Sequence, residues 1–456
     1  MIAMRLSDIA AITGGHVHGE DVLVTGGAYV DSRAPEDHGL FVAIAGERVD
    51  GHEYAEGAHA VLGTRPTSAP TLVVEDAVAS LGALSRAVVQ RAAARVYALT
   101  GSQGKTGTKD YLATVLAADA ETVATRGNHN NEIGVPLTVL QTTADTRHLV
   151  VEMGARGPGH IAYLCELAPP DLSAVLNVGT AHLSEFGTRE AIAAAKGEIV
   201  EALDADGTAV LNATDGLVLP MRERTRARVL TFGAHDSDIG VRDLASDDFG
   251  RHSFSLGYEG RWAQVRLRQL GAHQVMNAAA AAGLALGAGL PLDLVAETLS
   301  GAEARSRWRM ELRERADGVA VINDAYNANP ESTMAALETL GEIGRRSERR
   351  TIAVLGEMLE LADPRADHVR VGQFAAAAGV DVLVTVGEQA AAYADGAAGV
   401  PKWHGKAVRT EGREDATSWV RKNVAPGDVV LVKASRGAAL EQVVAGLLTD
   451  EGDRDR

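Results

Sequence analysis

Residues 101–106 are the part of this chain that most directly suggests chemistry. They read Gly-Ser-Gln-Gly-Lys-Thr and follow the apolar run Val96–Leu99. A glycine-bearing turn between a strand and a helix presents backbone N–H groups to phosphate oxygens, and the helix dipole adds positive potential. Lys105 would reach the terminal phosphates of a nucleotide, and the Thr106 hydroxyl would ligate Mg²⁺. The sequence therefore predicts a phosphate-binding loop for ATP or GTP.

This loop is shorter than the common form. The usual pattern, Gly-x-x-x-x-Gly-Lys followed by Ser or Thr, needs a glycine at position 99, where this chain has Leu99. The spacing here is Gly101-x-x-Gly104-Lys105-Thr106. So short a match also arises by chance. The apolar strand before it and a predicted helix over 110–116 after it favour the phosphate loop.

Polar residues follow several other predicted strands, where ligands bind in open α/β sheets. Glu152 after a predicted strand is either a Mg²⁺ ligand or a solvated loop acid. His182 is either a ligand or a hydrogen-bonded structural residue. Asp324 could bind ribose hydroxyls, or belong to an Asx-rich turn that caps the helix beginning at Pro330. Lys196 lies in an Ala-rich helical pattern and, by residue type alone, is interpreted as an exposed helix lysine.

Length and composition set the class of protein. A chain of 456 residues is long enough for two to four domains. The net charge of −17 and the lack of a long Lys/Arg cluster argue against a nucleic-acid partner. The single Cys165 fits a reducing compartment, and its apolar surroundings in sequence favour a structural role. We recognise no signal peptide and no membrane-spanning run, so we expect a cytoplasmic protein with no membrane insertion.

Apolar runs alternate with helical patterns in three blocks, which predicts an α/β protein with mostly parallel sheets. Residues 1–92 form a small α/β block, and a helix over 80–94 leads from it into the next block. Residues 93–304 form a central block that carries the phosphate loop, and residues 305–456 form a second doubly wound block. The predicted strands are Val22–Thr25, Leu40–Ala45, Thr71–Val74, Val96–Leu99, His148–Glu152, Ala174–Val178, Ala209–Leu211, Val319–Asn323, Thr351–Leu355, Val382–Val386 and Val429–Lys433.

Taken together, the motifs resemble the Mur ligase family over nearly the whole chain, and its short phosphate loop is normal there. The resemblance is to the branch that joins D-Ala-D-Ala to UDP-N-acetylmuramoyl-tripeptide. The motifs that carry it are Asp31-Ser32-Arg33, residues 46–52, residues 127–136, Ala181-His182-Leu183, Ala195-Lys196-Gly197-Glu198, residues 324–330, residues 355–361 and Lys433-Ala434-Ser435-Arg436.

The resemblance implies three domains with distinct roles. Residues 1–92 would bind the UDP-sugar, residues 93–304 would bind ATP, and residues 305–456 would form a Rossmann-like domain that closes over the site. Nucleotide contacts would come from Gly101, Ser102, Gly104, Lys105, Thr106, Asn277, Arg309 and Asp324. Two Mg²⁺ sites would use Thr106, Glu152, His182 and a carbamylated Lys196. Substrate contacts would come from Ser32, Arg33, Asn130, Asn131, Tyr326, Asn327, Asn329, Ser435 and Arg436.

The implied reaction activates the tripeptide carboxylate as an acyl phosphate, with Lys105, Lys196, His182 and Glu152 as the catalytic set. The amine of D-Ala-D-Ala then forms the amide, and the enzyme is expected to be a monomer. Two alternatives remain: another Mur-type or folylpolyglutamate-type ligase that adds one amino acid, and a nucleotide-dependent switch without ligase chemistry. Substrate-specific phosphate release would separate them.

Three positions depart from the pattern of the family. Gly107 replaces a Ser or Thr, Gln274 stands where Asn is common, and Thr333 precedes Met334 where Ser is usual. None of the three removes a proposed catalytic group, so they affect detailed contacts rather than the predicted reaction.

Overall fold

The structure is a computed structural model that describes residues 1–46, 49–180, 183–234 and 236–449, with residues 183 and 184 described by backbone alone. Strands and helices alternate along most of the chain and form three larger sheets and one two-stranded sheet. Within the described part, none of the helices has the length and apolar character needed to span a lipid bilayer.

The N-terminal block contains a five-stranded sheet in the order β2-β7-β6-β5-β4, parallel except for β2, and β1 pairs with β3. Helix α2 begins three residues earlier than predicted, because the Asp76 carboxylate accepts hydrogen bonds from the N–H groups of Val78 and Ala79. The elements are β1 (Met4–Arg5), α1 (Leu6–Thr13), β2 (His16–His18), β3 (Leu23–Val24), β4 (Ala28–Tyr29), β5 (Leu40–Val42), β6 (Ala60–Gly63), β7 (Thr71–Val73) and α2 (Ala77–Arg91).

The central block contains a nine-stranded sheet. Its elements are β8 (Arg95–Thr100), α3 (Lys105–Ala117), β9 (Thr122–Ala124), α4 (Gly134–Val139), β10 (His148–Glu152), α5 (His160–Leu167), β11 (Leu172–Val175), α6 (Leu183–Phe186), α7 (Arg189–Glu201), β12 (Thr208–Asn212), β13 (Arg228–Gly233), β14 (Ile239–Ser246), β15 (Arg251–Tyr258), β16 (Arg261–Leu270), α8 (His273–Gly287) and α9 (Leu292–Gly301). The strand order is β16-β15-β14-β13-β12-β11-β8-β10-β9.

Strands β8 to β13 pair in parallel, as predicted, and they bring the phosphate loop and Glu152 to one edge of the sheet. Strands β14, β15 and β16 form an antiparallel ribbon that the sequence analysis did not predict. One apolar cluster joins the N-terminal block to one face of this sheet, and a second cluster fills the face covered by α3, α8 and α9.

The C-terminal block contains a six-stranded sheet in the order β17-β18-β22-β19-β20-β21, parallel except for β17, with apolar clusters on both faces. Its elements are β17 (Glu311–Glu314), β18 (Ala320–Asp324), α10 (Pro330–Ser347), β19 (Thr351–Leu355), α11 (Pro364–Ala377), β20 (Val382–Val386), α12 (Ala391–Ala398), β21 (Lys406–Thr410), α13 (Arg413–Asn423), β22 (Val429–Lys433) and α14 (Glu441–Leu448). The boundaries that we predict near residues 92 and 304 fall between the sheets.

Candidate active site

The phosphate loop joins β8 to α3, as its sequence predicts. Gly104 caps α3 with φ of +80°. A Cβ atom at this position would overlap the Asn277 Oδ1 atom on α8, so the loop needs glycine for its conformation and for space. Lys105 Nζ donates a hydrogen bond to the Gly101 carbonyl oxygen at 2.6 Å. Burial lowers the pKa of Lys105, and the nearby Glu152 carboxylate acts in the opposite direction.

Glu152 ends strand β10 and faces the first turn of α3. Its side chain is buried, at 1% exposure, so it is not a solvated loop acid. Oε2 accepts a hydrogen bond from Thr106 Oγ1 at 3.0 Å, and Oε1 accepts one from Asn130 Nδ2 at 2.8 Å. Arg309 Nη2 also donates to Thr106 Oγ1, at 3.2 Å. A carboxylate and a hydroxyl therefore lie together beside the phosphate loop, and oxygen donors of this kind suit Mg²⁺.

Lys196 faces the same site from helix α7. Its side chain is buried, so the interpretation as an exposed helix lysine is wrong. Among the residues that the structure describes, its ammonium group has no hydrogen-bond or ion-pair partner. Burial, with the neighbouring charge of Lys105, lowers the pKa of Lys196 well below its ordinary value. The neutral amine is therefore favoured more than in an exposed lysine. His182, the remaining predicted metal ligand, lies outside the described residues.

A cleft of about 690 Å³ between the central and C-terminal sheets contains this site. Ser32 and Arg33 do not line it: the Arg33 guanidinium is exposed and pairs with Asp31 at 2.8 Å. The predicted site residues that line the cleft are Gly101, Ser102, Gly104, Lys105, Thr106, Asn130, Asn131, Glu152, Lys196, Asn277, Arg309, Asp324, Tyr326, Asn327, Asn329, Ser435 and Arg436.

Asp324 and Lys433 form a buried ion pair at the C-terminal side of the cleft. The two residues are register partners on β18 and β22, and Lys433 Nζ lies 2.6 Å from Asp324 Oδ2. Lys433 Nζ also donates to the Asn327 carbonyl oxygen at 2.9 Å, and the Met310 N–H donates to Asp324 Oδ1 at 3.2 Å. Lys433 opens one of the motifs that carry the family resemblance but has no predicted role of its own, although its place at the end of a buried strand was the available signal.

Two other predicted substrate residues use their side chains to hold the protein itself. Asn329 caps α10, since its Oδ1 atom accepts from the Ser332 N–H at 2.8 Å. Ser435 Oγ accepts from the Leu359 N–H at 2.9 Å and donates to the Ala328 carbonyl oxygen at 3.2 Å. These two side chains therefore position the loops that line the cleft.

Aromatic rings hold two arginines at the cleft. The Arg309 guanidinium lies 4.2 Å from the centre of the Tyr326 ring, and Arg436 lies 4.3 Å from the centre of the Trp308 ring. Such stacking fixes the plane of a guanidinium group without removing its charge. The two arginines therefore retain positive charge beside the phosphate loop and the C-terminal wall.

Comparison with known proteins agrees with this arrangement. The model of the Mur ligase middle domain matches residues 99–285, and the model described as the Mur ligase, glutamate ligase domain matches residues 308–436. The chain belongs to the Mur ligase family. The first matched range holds the phosphate loop, Glu152 and Lys196, and the second holds Arg309, Asp324 and Ser435.

Two relatives within the Mur ligase family share one name. The UDP-N-acetylmuramoyl-tripeptide--D-alanyl-D-alanine ligase of Mycobacterium tuberculosis (strain ATCC 25618 / H37Rv) is 41% identical over an alignment of 503 positions, which covers 99% of each chain. The protein of the same name from Escherichia coli (strain K12) is 36% identical over an alignment of 464 positions, which covers 98% of this chain and 99% of the relative.

Solved structures of Mur ligases also match along most of the chain. MurF from Acinetobacter baumannii superposes with a TM-score of 0.86 at 30% identity, covering 98% of this chain and 99% of the other. MurF ligase from Thermotoga maritima in complex with ADP gives 0.78 at 30% identity, covering 93% and 97%. The three-block α/β architecture predicted from the sequence is therefore confirmed.

Proposed function

We propose that this chain is the ATP-dependent ligase that joins D-Ala-D-Ala to UDP-N-acetylmuramoyl-tripeptide, giving the pentapeptide precursor of peptidoglycan. The observation that carries the proposal is the cleft, where a phosphate loop, a buried carboxylate and a buried lysine lie together. The relatives that bear this ligase name span nearly the whole chain, and a solved neighbour is described as a complex with ADP.

The loop residues bind and orient ATP. The helix N-terminus at the start of α3 would bind the terminal phosphates through its N–H groups. The Lys105 ammonium, which already lies against the Gly101 carbonyl of the loop, would offset their negative charge. A carboxylate oxygen of the tripeptide attacks the γ-phosphorus, and ADP leaves. Arg309 supplies a further positive charge, because its guanidinium already contacts Thr106. Most of the rate enhancement would then come from positioning and charge neutralisation.

The donor set fits Mg²⁺. Thr106 and Glu152 supply a hydroxyl and a carboxylate within hydrogen-bond distance of each other, and these oxygens would hold the ion. Lys196 would become a ligand after its neutral amine adds to CO₂ and releases a proton, because the resulting carbamate supplies an anionic oxygen donor. His182 would complete the two predicted Mg²⁺ sites. When bound, Mg²⁺ offsets the negative charge that develops on the transferred phosphoryl group.

The C-terminal wall of the cleft would bind the acceptor. The amine nitrogen of D-Ala-D-Ala attacks the acyl carbon and loses a proton, and phosphate leaves through a tetrahedral intermediate. Tyr326, Asn327 and Arg436 face the cleft and are the proposed contacts. Asn329 and Ser435 would act by positioning neighbouring loops, given their hydrogen bonds within the protein. Exclusion of water would protect the acyl phosphate from hydrolysis.

The N-terminal block is proposed to bind the UDP-sugar end through Ser32 and Arg33. Ser32 is half-buried and Arg33 is exposed, and their place outside the main cleft suits recognition of a distant part of a long substrate. Domain roles for residues 1–92, 93–304 and 305–456 belong to this proposal. The monomeric state and the cytoplasmic location remain predictions.

Phosphate release from ATP with Mg²⁺ tests the proposed function. UDP-N-acetylmuramoyl-tripeptide and D-Ala-D-Ala are supplied together and separately, and the product is weighed by mass spectrometry. We expect release only with both substrates, with a pentapeptide product, and almost none from the Lys105→Ala variant. Release with a single amino acid would assign the chain to a sister ligase. ATP binding without release under any pairing would favour a nucleotide switch.

A further inference from the structure

His368 on α11 is a buried histidine that uses both of its ring nitrogens. The residue is 1% exposed, and its ring packs against that of Tyr393 with the ring centres 4.6 Å apart. Nδ1 lies 2.5 Å from the Pro364 carbonyl oxygen, one turn earlier on the helix, and Nε2 accepts from the Met358 N–H at 3.0 Å. Since a carbonyl oxygen only accepts and an N–H only donates, the ring hydrogen is assigned to Nδ1 and the lone pair to Nε2.

Burial favours the neutral ring that this pattern requires. It lowers the pKa of His368, although the hydrogen bond to Pro364 and the nearby Asp367 and Glu357 carboxylates act in the opposite direction. A protonated ring would carry hydrogen on both nitrogens and would leave the Met358 N–H without its acceptor. The contact with Met358 therefore depends on an unprotonated Nε2.

Met358 belongs to a segment that lines the cleft, residues 356–362, which follow β19. The hydrogen bond from Met358 to His368 is one support of this 356–362 loop, and Ser435 supplies the next, since its Oγ atom accepts from the Leu359 N–H at 2.9 Å. Two adjacent backbone donors thus depend on one histidine and one serine. The residues of the loop that line the cleft are Leu359, Glu360, Leu361 and Ala362.

The surface that this loop offers suits a small apolar dipeptide. Leu359, at 47% exposure, and Leu361 add apolar side chains to a cleft lined mainly by polar ones. D-Ala-D-Ala carries two methyl groups, and burial of apolar surface favours their contact with such side chains. Ser435 Oγ also donates to the Ala328 carbonyl oxygen at 3.2 Å, which joins the loop to the segment that carries Asn327, a proposed acceptor contact.

We propose that His368, through its Nε2 acceptor, is a positioning residue that holds the 356–362 loop in the shape that binds D-Ala-D-Ala. The inference rests on the proposed function and adds a residue that acts on the acceptor only through another part of the chain. His368 is not among the described residues that line the cleft, and its link to the loop is the Met358 backbone. Loss of the Nε2 acceptor therefore weakens binding of the acceptor and leaves the phosphate loop unchanged.

Steady-state kinetics of two variants test this, because each retains a different half of the imidazole. His368→Gln places an amide oxygen near the position of Nε2 and can accept from Met358. His368→Asn reaches only the position of Nδ1 and keeps the bond to Pro364. We expect the KM for D-Ala-D-Ala to rise about tenfold in His368→Asn, as for one lost hydrogen bond, and less than about threefold in His368→Gln. The KM values for ATP and for the tripeptide should not change.

Val371→Ala is the matched control. Val371 is buried on the same helix, so its truncation destabilises α11 but keeps the Nε2 acceptor, and its KM for D-Ala-D-Ala should equal that of the wild type. Hydrogen–deuterium exchange of residues 356–362 adds a readout that needs no turnover. Exchange in this loop should become faster in His368→Asn and stay close to wild type in His368→Gln.

An unchanged KM for D-Ala-D-Ala in His368→Asn would overturn the proposal, as would equal rises in both His368 variants or a similar rise in Val371→Ala. A rise confined to the KM for the tripeptide would assign the loop to the other substrate and overturn it too. Failure of the proposed function gives a different result, because the wild-type protein itself would then form no pentapeptide.

Discussion

Replacing Gly104 with alanine offers a quantitative test of how the phosphate loop is built. Gly159 is a matched control, because it also caps a helix, with φ of +80° and ψ of −11° against +80° and −10° at Gly104. The left-handed conformation should cost alanine about 1–2 kcal/mol at either position. A Cβ atom at Gly159 meets nothing within 4 Å. At Gly104 it displaces Asn277, whose Nδ2 atom donates to Gln274 Oε1 at 3.1 Å, which should add about 1 kcal/mol.

We therefore expect Gly104→Ala to lose about 2–3 kcal/mol of unfolding free energy and Gly159→Ala about 1–2. Denaturant unfolding measures both, and calorimetric titration should show ATP affinity reduced about tenfold only for Gly104→Ala, since its loop must shift. Adding Asn277→Ala removes the obstacle, so the double variant should be more stable than the sum of the single losses predicts. Strict additivity, or equal losses for the two alanine variants, would refute the reasoning.

Three further predictions concern buried ionisable side chains. Lys196→Arg cannot form a carbamate, so the rate of phosphate release should fall roughly 100-fold, the upper end of the usual effect of mutating a residue that supports a metal site. In the wild-type protein, activity should rise when bicarbonate is returned after CO₂ has been removed. Lys433→Met leaves Asp324 buried without its partner, which should cost about 3–5 kcal/mol in denaturant unfolding. Between pH 6.5 and about 4 the unfolded chain protonates at His273 before the folded chain does, so unfolding free energy should fall on acidification, by at most about 3 kcal/mol, and less in His273→Asn.

The phosphate loop and the strand ends could be predicted because their signals are local. A glycine-bearing turn after an apolar run is visible in six residues, and buried parallel strands are near-continuous apolar runs. Parallel strands then carry Glu152 and the loop to one edge of the sheet without further information. The motif at 324–330 similarly marks the end of β18 and the cap of α10.

The ribbon of β14 to β16 could not be predicted in the same way. Residues such as Arg242 and Asp243 leave β14 largely exposed, so it lacks the apolar run that marks the other central strands. Its stability comes from pairing with β15 and from packing on α10, where Ser246 Oγ donates to Glu342 Oε1 at 2.6 Å. The contact with α10 joins residues 96 positions apart, and local sequence does not record it.

The same reason explains the misinterpretation of Lys196. Periodicity places a residue on a helix, but burial of that residue depends on what packs against the helix. Lys196 is buried because α7 faces the cleft rather than solvent. Site residues that depend on the docking of two blocks are therefore those that a single sequence shows least clearly.

The contacts between the central and C-terminal blocks have a consequence for the order of ATP binding and carboxylate activation in the cleft. Arg309 contacts Thr106, and the Ser306 N–H donates to Asp110 Oδ2 at 3.0 Å, so the segment leading into the C-terminal sheet is held by the helix that begins at the phosphate loop. Glu331 of α10 also accepts a hydrogen bond from Thr180. A nucleotide that touches both sides must favour the docked arrangement, because ligands shift an equilibrium only through differential contacts. ATP binding would thereby enclose the site before an activated carboxylate is formed.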